Sequence, residues 1–286
     1  MISKIAALVI LSMIMAGMSA FCGCGGGGMG DCEENMKMVP VDSIAYSYWN
    51  IGIMESDEEL WDMYYIFKES AQAEQITDMG LPRSAIDDAS KALLGFGSLV
   101  NATVRVMKGD FKAQDVERYL EKEGYQKSTY QEIGIWTPPA GKGYEPMAVK
   151  DNTLLMGQEA ALQAAIDVMI KSEKKSLYDN QNIKLVVDRL PAGILVYLGT
   201  AASAGEESYE DLVAYGKSLR MADEDRLHLT AVYMFQDAFT AGNAEGSIKD
   251  YLGTQNFTDI KAERQDNFIK VTAKVYISDF VSTLVF

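Results

Sequence analysis

The chain has 286 residues, 48% of them apolar, and a formal net charge of −15. That apolar content supports a packed core and excludes a disordered tail, and about 260 residues beyond a leader suffice for one large domain or two small ones. The acid excess excludes nucleic acid, which needs a basic surface, and argues against a polybasic grip on anionic lipid. With 41 acids the excess is moderate and reads as a self-repelling, soluble surface rather than adaptation to high salt or weak collection of cations.

One positive charge, Lys4, precedes an apolar run from Ile5 to Met18, and Ser19-Ala20 follow. This is the pattern of a secretory signal. The run of 14 residues fits a signal core and is short for a membrane span. Next come Cys22, Cys24 and the glycines Gly25 to Gly28. The arrangement resembles the signal of prokaryotic lipoproteins, which implies a diacylglyceryl cysteine as the first mature residue. Cys24 follows the small Gly23 and fits better than Cys22, which follows the bulky Phe21, although Phe21 then stands where the pattern usually has Leu. Segment 1–23 is thus expected to be a signal peptide and Cys24 the lipid attachment. Cleavage after Ala20, giving a free secreted chain, and an uncleaved anchor from Ile5 to Phe21 are the rivals. Two acyl chains hold a membrane stably where one does not. The expected location is the cell membrane, lipid-anchored, facing the periplasm or exterior. Removal of Lys4 leaves the mature chain one unit more negative.

All three cysteines precede residue 33. With Cys22 removed and Cys24 acylated, Cys32 stands alone, so disulfides do not hold the fold. A metal site at Cys22, Cys24 and Cys32 would lack a fourth ligand, since His228 is remote.

Residues 24–37 read as a glycine-rich tether. Ile44 to Trp49 reads as a strand, with Tyr46, Tyr48 and Asn50 on one face and Ala45, Ser47 and Trp49 on the other. Ser56-Asp57-Glu58-Glu59 opens a helix with Leu60, Trp61, Tyr64, Ile66 and Phe67 apolar, broken at Gly80-Leu81-Pro82. A short helix is expected over 84–94 and a strand over 100–107. A helix from about Lys112 to Glu123 places Val116, Tyr119 and Leu120 on one face, and Gly124 terminates it. Two strands are expected at 125–136 and 147–156, then an alanine-rich helix at 158–172 and a further one at 180–190.

From Pro191 the order restarts. Pro191 to Tyr197 parallels Pro40 to Tyr46. A helix over 209–221, a strand over 227–235 and another helix follow. Val116-x-x-Tyr119-Leu120 before Gly124-Tyr125 matches Ile248-x-x-Tyr251-Leu252 before Asn256-Phe257 without a gap. Gly and Asn are the two types that tolerate the left-handed terminator. Two strands then follow in both halves, Phe257 to Arg264 and Phe268 to Tyr276 in the second. The expected architecture is α+β, built from two β-α-β-α-β-β repeats at 38–178 and 179–286, with mainly antiparallel sheet and helices on one face. One continuous sheet and two domains are both open.

No catalytic, cofactor or metal residue is nominated. His228 is the only histidine and alternates with Leu227 and Leu229 onto a solvent face. No Gly-x-Ser-x-Gly elbow, His-Glu-x-x-His helix or Gly-x-x-x-x-Gly-Lys-Ser/Thr loop occurs. Gly23-x-Gly25-x-x-Gly28 mimics a dinucleotide fingerprint, but it follows a signal rather than a strand. Asp223-Glu224-Asp225 reads as a solvated helix-to-strand turn, since adjacent acids cannot all face one calcium ion. Glu206-Glu207 reads as the acidic start of a helix. Asn101-x-Thr103 and Asn256-x-Thr258 match glycosylation sequons that carry no meaning in a prokaryotic lipoprotein. Tyr46, Tyr48, Trp49, Trp61, Tyr64 and Tyr65 suit a carbohydrate or peptide groove, and more simply a sheet-helix core.

Pro40 with Ile44-Ala45-Tyr46, Gly109-Asp110-Phe111 with Val116, Leu120, Gly124 and Tyr125, and Met156-Gly157 with Ala160 to Asp167 cover about half of the ectodomain. In these the chain resembles membrane lipoproteins of archaea and some bacteria that carry an ectodomain of unknown function. The resemblance carries no catalytic residue across. The expected function is a non-enzymatic binding or envelope module, joined to the membrane by its lipid, with a protein or small molecule as partner. A solute-binding lipoprotein of a transport system and a carboxylate-based secreted hydrolase are the alternatives.

Overall fold

The computed structural model describes residues 29–284 except 79–80, 97–99, 172 and 205–208. The expected signal segment 1–23, Cys24, Glu206-Glu207, and the side chain of Asn101 lie outside the described residues.

The centre of the molecule is strand β1 (Ser43–Asn50), buried on both faces. It pairs antiparallel with β2 (Ile86–Phe96) on one side and with β8 (Leu195–Thr200) on the other. Beyond β2 lie β3 (Val100–Gly109), β7 (Thr153–Gly157), β6 (Met147–Lys150), β5 (Ile133–Thr137) and β4 (Gln126–Tyr130). Beyond β8 lie β9 (Leu212–Asp223), β10 (Arg226–Phe235), β12 (Phe268–Tyr276) and β11 (Thr258–Gln265). The 12 strands of the described residues form one sheet in which every pair is antiparallel. Outward from the β1/β8 seam the two halves run in matching order, β1-β2-β3-β7-β6 and β8-β9-β10-β12-β11, and the first half adds β5 and β4 at its edge.

The α+β class and the antiparallel sheet are as the sequence leads one to expect. Helices, however, cover both faces rather than one. The front carries α2 (Ile51–Ser56), α3 (Trp61–Lys68), α4 (Ala71–Asp78), α5 (Ala113–Lys122), α8 (Ala238–Thr254) and α9 (Ile277–Leu284). The back carries α1 (Gly30–Met36), α6 (Glu159–Ile170) and α7 (Gln181–Val187). A central strand therefore buries side chains in two separate cores, which is why β1 shows no apolar-polar alternation.

The element order also departs from the expected β-α-β-α-β-β. Residues 86–96 and 212–223 are strands, not helices. Ala, Lys and Leu in 84–94 favour a helix locally, but burial on two faces between neighbouring strands outweighs a preference of a few tenths of a kcal/mol per residue. Gly216 in β9 lets α7 approach, since a Cβ there would lie 2.7 Å from Val186 and 2.8 Å from Leu190. The expected single strands at 125–136 and 147–156 are two hairpins each turning back on itself. Gln131 and Glu132 both have positive φ, 48° and 67°, as a two-residue turn with the twist of a hairpin requires, and no Gly marks the spot.

Residues 30–36, expected within the tether, are helical. They form α1, whose Cys32 and Met36, with Met29 before them, make an apolar stripe at helical spacing on the back core. Gly124 and Asn256 end α5 and follow α8 with φ of 77° and 61°. Val116 and Leu120, like Ile248 and Leu252, are buried in the front core.

Candidate functional site

A small crevice of about 20 Å³, room for about one water, opens on the front face where α3 and α4 meet the central strands. The register of the sheet builds its floor. Trp49 stands opposite Ala89, and Ala89 opposite Met107, while two residues along Ser47 stands opposite Lys91 and Lys91 opposite Arg105. Trp49, Phe67 and Met107 form apolar walls, and Ser70, Lys91 and Arg105 bring polar groups. Ser70 is the cap of α4, its Oγ accepting from Ala73 N at 3.2 Å.

The carboxylate of the site comes from the loop before β6. Gln75 on α4 donates through Nε2 to the Glu145 carbonyl at 3.0 Å, and its Oε1 accepts from Glu145 N at 3.3 Å. Tyr144 donates to Asp78 at the end of the same helix. This double tie sets Glu145 against Arg105, which donates to it through Nη1. Lys91 makes no ion pair with any described residue. Burial pushes its pKa down to about 8, the Arg105 charge adds to the shift, and Glu145 opposes it. Burial lowers Arg105 as well, again opposed by Glu145. Two further donors on this face, Trp49 Nε1 and Ser47 Oγ, are buried without a hydrogen-bond partner. Leaving such groups unpaired costs about 1–3 kcal/mol each.

A second polar cluster lies on the back face beneath α1. Asn35 donates through Nδ2 to Asp88, and Tyr46 donates to the Cys32 carbonyl at 3.2 Å. Burial raises Asp88 to about 6, with Asn35 and then Lys108 opposing. Burial likewise raises Tyr46, Tyr48 and the Cys32 thiol. A thiol so placed is inert, which suits a structural cysteine.

Of the residues singled out in the sequence, His228 is half-buried on the back face of β10, away from the crevice. Burial and the charges of Arg220, Lys274 and Lys270 hold its pKa below the ordinary value. Asp223 and Asp225 flank a strand-to-strand turn, not the expected helix-to-strand turn. Asp223 accepts two bonds from Arg226, at 2.7 Å and 3.0 Å. The aromatic group divides across the sheet. Tyr46 and Tyr48 enter the back core, Trp49 and Tyr64 the front core, and Trp61 and Tyr65 are exposed. Among the described residues no three His, Cys, Asp or Glu side chains are grouped to hold a metal. Lys91 and Arg105 escaped notice because 84–94 reads as a helix. The signal was present: Lys91 is the one cation of β2, and Arg105 stands between Val104 and Val106 in β3.

No family model matches the chain. An uncharacterized protein of Methanocaldococcus jannaschii, MJ0635, is 25% identical over 235 residues, which cover 82% of this chain and 80% of that protein. Two crystal forms of a protein named TP0453 share the fold. Form III aligns with a TM-score of 0.56 at 8% identity and form I with 0.55 at 9%, each covering 87% of this chain and 96% of theirs.

Proposed function

We propose that this chain is a lipid-anchored extracytoplasmic protein, attached through Cys24, whose folded part is a non-catalytic binding or envelope module. The observation that supports a binding role is on the front face, where Lys91, without an ion pair among the described residues, and the Arg105–Glu145 pair sit among Trp49, Phe67 and Met107. A carboxylate hydrolase needs two facing carboxyl groups, whereas Glu145 is held by Arg105 and the raised Asp88 lies on the other face. A transport-type receptor with two lobes about a cleft fits less well, because the β1/β8 seam makes one sheet of the two halves. Their matching strand order supports descent from one duplicated unit.

The anchor places the module near its membrane. From Cys24 to Met29 the chain reaches at most roughly 17 Å, and α1 begins there. Detergent-phase partition of the expressed protein tests the anchor. Wild type should enter the detergent phase and Cys24→Ala should not. Retention of Cys24→Ala in that phase with unchanged mass would refute lipidation at this residue. A thermal-shift panel of sugars, amino acids and organic acids tests the module. A ligand at 100 times its dissociation constant should add about 2.7 kcal/mol of stability, and silence across the panel counts against a binding role.

A further inference from the structure

We propose that the back face of the second half, where Arg220, His228 and Lys274 stand abreast on β9, β10 and β12, binds the phosphate or sulfate group of a soluble ligand, an inference that deepens the binding reading above and rests on it. The register sets the row, with His228 opposite Arg220 on one side and opposite Lys274 on the other. Directly opposed residues share a face of the sheet, and neighbouring strands lie about 4.8 Å apart. Leu227 and Leu229 enter the front core, which puts His228 and its two neighbours on the back. Arg220 is exposed, and His228 and Lys274 are half-buried. In a chain with 41 acids to 26 Lys and Arg, three such side chains abreast run against the trend of the surface. Asp223, at the turn between β9 and β10, lies 3.6 Å from Lys274, but both of its oxygens accept from Arg226.

Charge and donors choose the class. Arg220 and Lys274 bring two positive charges with the His228 ring between them. One dianion balances the row, where a carboxylate or chloride would leave a charge unmatched. A tetrahedral oxyanion has acceptors for all three side chains, and bonds between ionised partners are the strong kind. The field about His228 agrees. Burial, then Arg220, Lys274 and Lys270, hold its pKa below the ordinary value, and no carboxylate opposes them. An anion over the ring would offset that repulsion. From the row the back face of β12 runs past Thr272 to Lys270, about 14 Å along the strand. There an open cavity of about 320 Å³, to which Arg189 and Lys270 both contribute, leaves room for the body of the ligand. Helix α7 packs on β9 and β10 beside this face. A helix is about 10 Å thick, so a flat bilayer would rest on α7 before its headgroups met His228. The recess suits a soluble phosphate or sulfate compound better than a membrane surface.

The test uses the full chain carrying Cys24→Ala, purified without a histidine tag. His228 is then the only histidine, and its ring signals in proton–carbon NMR report on the site. The probes are sulfate, inorganic phosphate, acetate and chloride at matched ionic strength. Sulfate and phosphate should move the His228 signals saturably and raise its pKa, with acetate and chloride far weaker. Sulfate should bind at least about fourfold tighter when His228 is protonated, the worth of two unit charges about 5 Å apart at the dielectric of water. The charged groups that face His228 are Arg220 from β9 and Lys274 and Lys270 from β12. Arg220→Met and Lys274→Met should each weaken sulfate about tenfold or more, the loss of one hydrogen bond to a charged group. In chloride each should also raise the His228 pKa, since a neighbouring cation is gone. Phosphatidylglycerol vesicles should leave the signals in place. Equal responses to acetate and sulfate would overturn the class of ligand. Sulfate binding untouched by both substitutions would overturn the site. A response to vesicles without one to free sulfate or phosphate would overturn the soluble ligand. Silence to every anion, with a sugar or amino acid from the thermal-shift panel binding instead, would overturn this inference alone, whereas silence of every compound sinks the binding reading with it.

Discussion

Replacing Asp88 by Asn should change how stability depends on pH. Asp88 is buried under α1, and its carboxyl titrates near 6 instead of 3.8 because burial disfavours the charged form. A raised carboxyl pKa means that the folded state holds the proton more tightly than the unfolded chain does. Stability from this group is therefore fully present below about pH 4 and is lost as pH rises through 6. Two pKa units correspond to on the order of 3 kcal/mol at neutral pH. The amide of the variant would keep an oxygen to accept from Asn35 and carry no charge. Urea unfolding of both proteins from pH 4 to 7.5 isolates the effect, because Asp167, Asp179, Asp223, Asp237 and Glu245, whose pKa values are lowered, contribute to both curves alike. Asp88→Asn should match wild type near pH 4 and exceed it increasingly toward pH 7. Parallel curves across that range would refute the buried, charge-disfavouring environment and with it the close docking of α1.

Leu120→Ala and Leu252→Ala, at sites exposed by 0% and 1%, should each cost about 2–5 kcal/mol in chemical denaturation. A loss under 1 kcal/mol at either would contradict its burial. Gly109→Ala should destabilise by roughly 1–3 kcal/mol or more, since its Cβ would fall 1.7 Å from the Ala85 carbonyl oxygen and the backbone must shift. A neutral outcome would show that the β2/β3 end is not packed as described. Gly124→Val, at φ of 77°, should cost about 1–2 kcal/mol. Folded Lys91 gives up its proton before the unfolded chain does and so adds stability as pH rises from 8 toward 10.5, against the opposite contribution of the raised Cys32, Tyr46 and Tyr48, so the stability of Lys91→Met should fall more steeply above pH 8 than that of wild type.

The sequence conveys the parts whose physics is local. The face of α5 and its glycine terminator follow from spacing and from positive φ, both visible as Val116, Leu120 and Gly124. The stripe of Met29, Cys32 and Met36 was equally visible, yet the glycines before it suggest a tether. β2 and β9 are illegible for a different reason. Their residues carry no period of two because each strand is buried on both faces, and nothing local distinguishes that from a helix. Once 84–94 reads as a helix, Lys91 no longer stands beside Arg105, and the crevice disappears with it. Gln131-Glu132 hides a hairpin because neither residue type announces positive φ. Cys24 is legible as a motif, and it lies outside the described residues altogether.

During synthesis β1 exists long before its neighbour on one side. Ala45 pairs with Gly199 and Trp49 with Leu195, so the seam closes only when the chain has grown by more than half its length. At 5–20 residues per second the delay is on the order of ten seconds. Throughout it, β1 presents an unpaired edge with apolar side chains above and below, the form most prone to recruit a strand from another molecule. The recruit with the best fit is a second β1, since β8 itself lies antiparallel there. A chain ended after residue 178 should accordingly form a two-fold dimer through β1, and a monomer by size-exclusion chromatography would refute that. Folding of the whole protein thus depends on the second half arriving before a second molecule does.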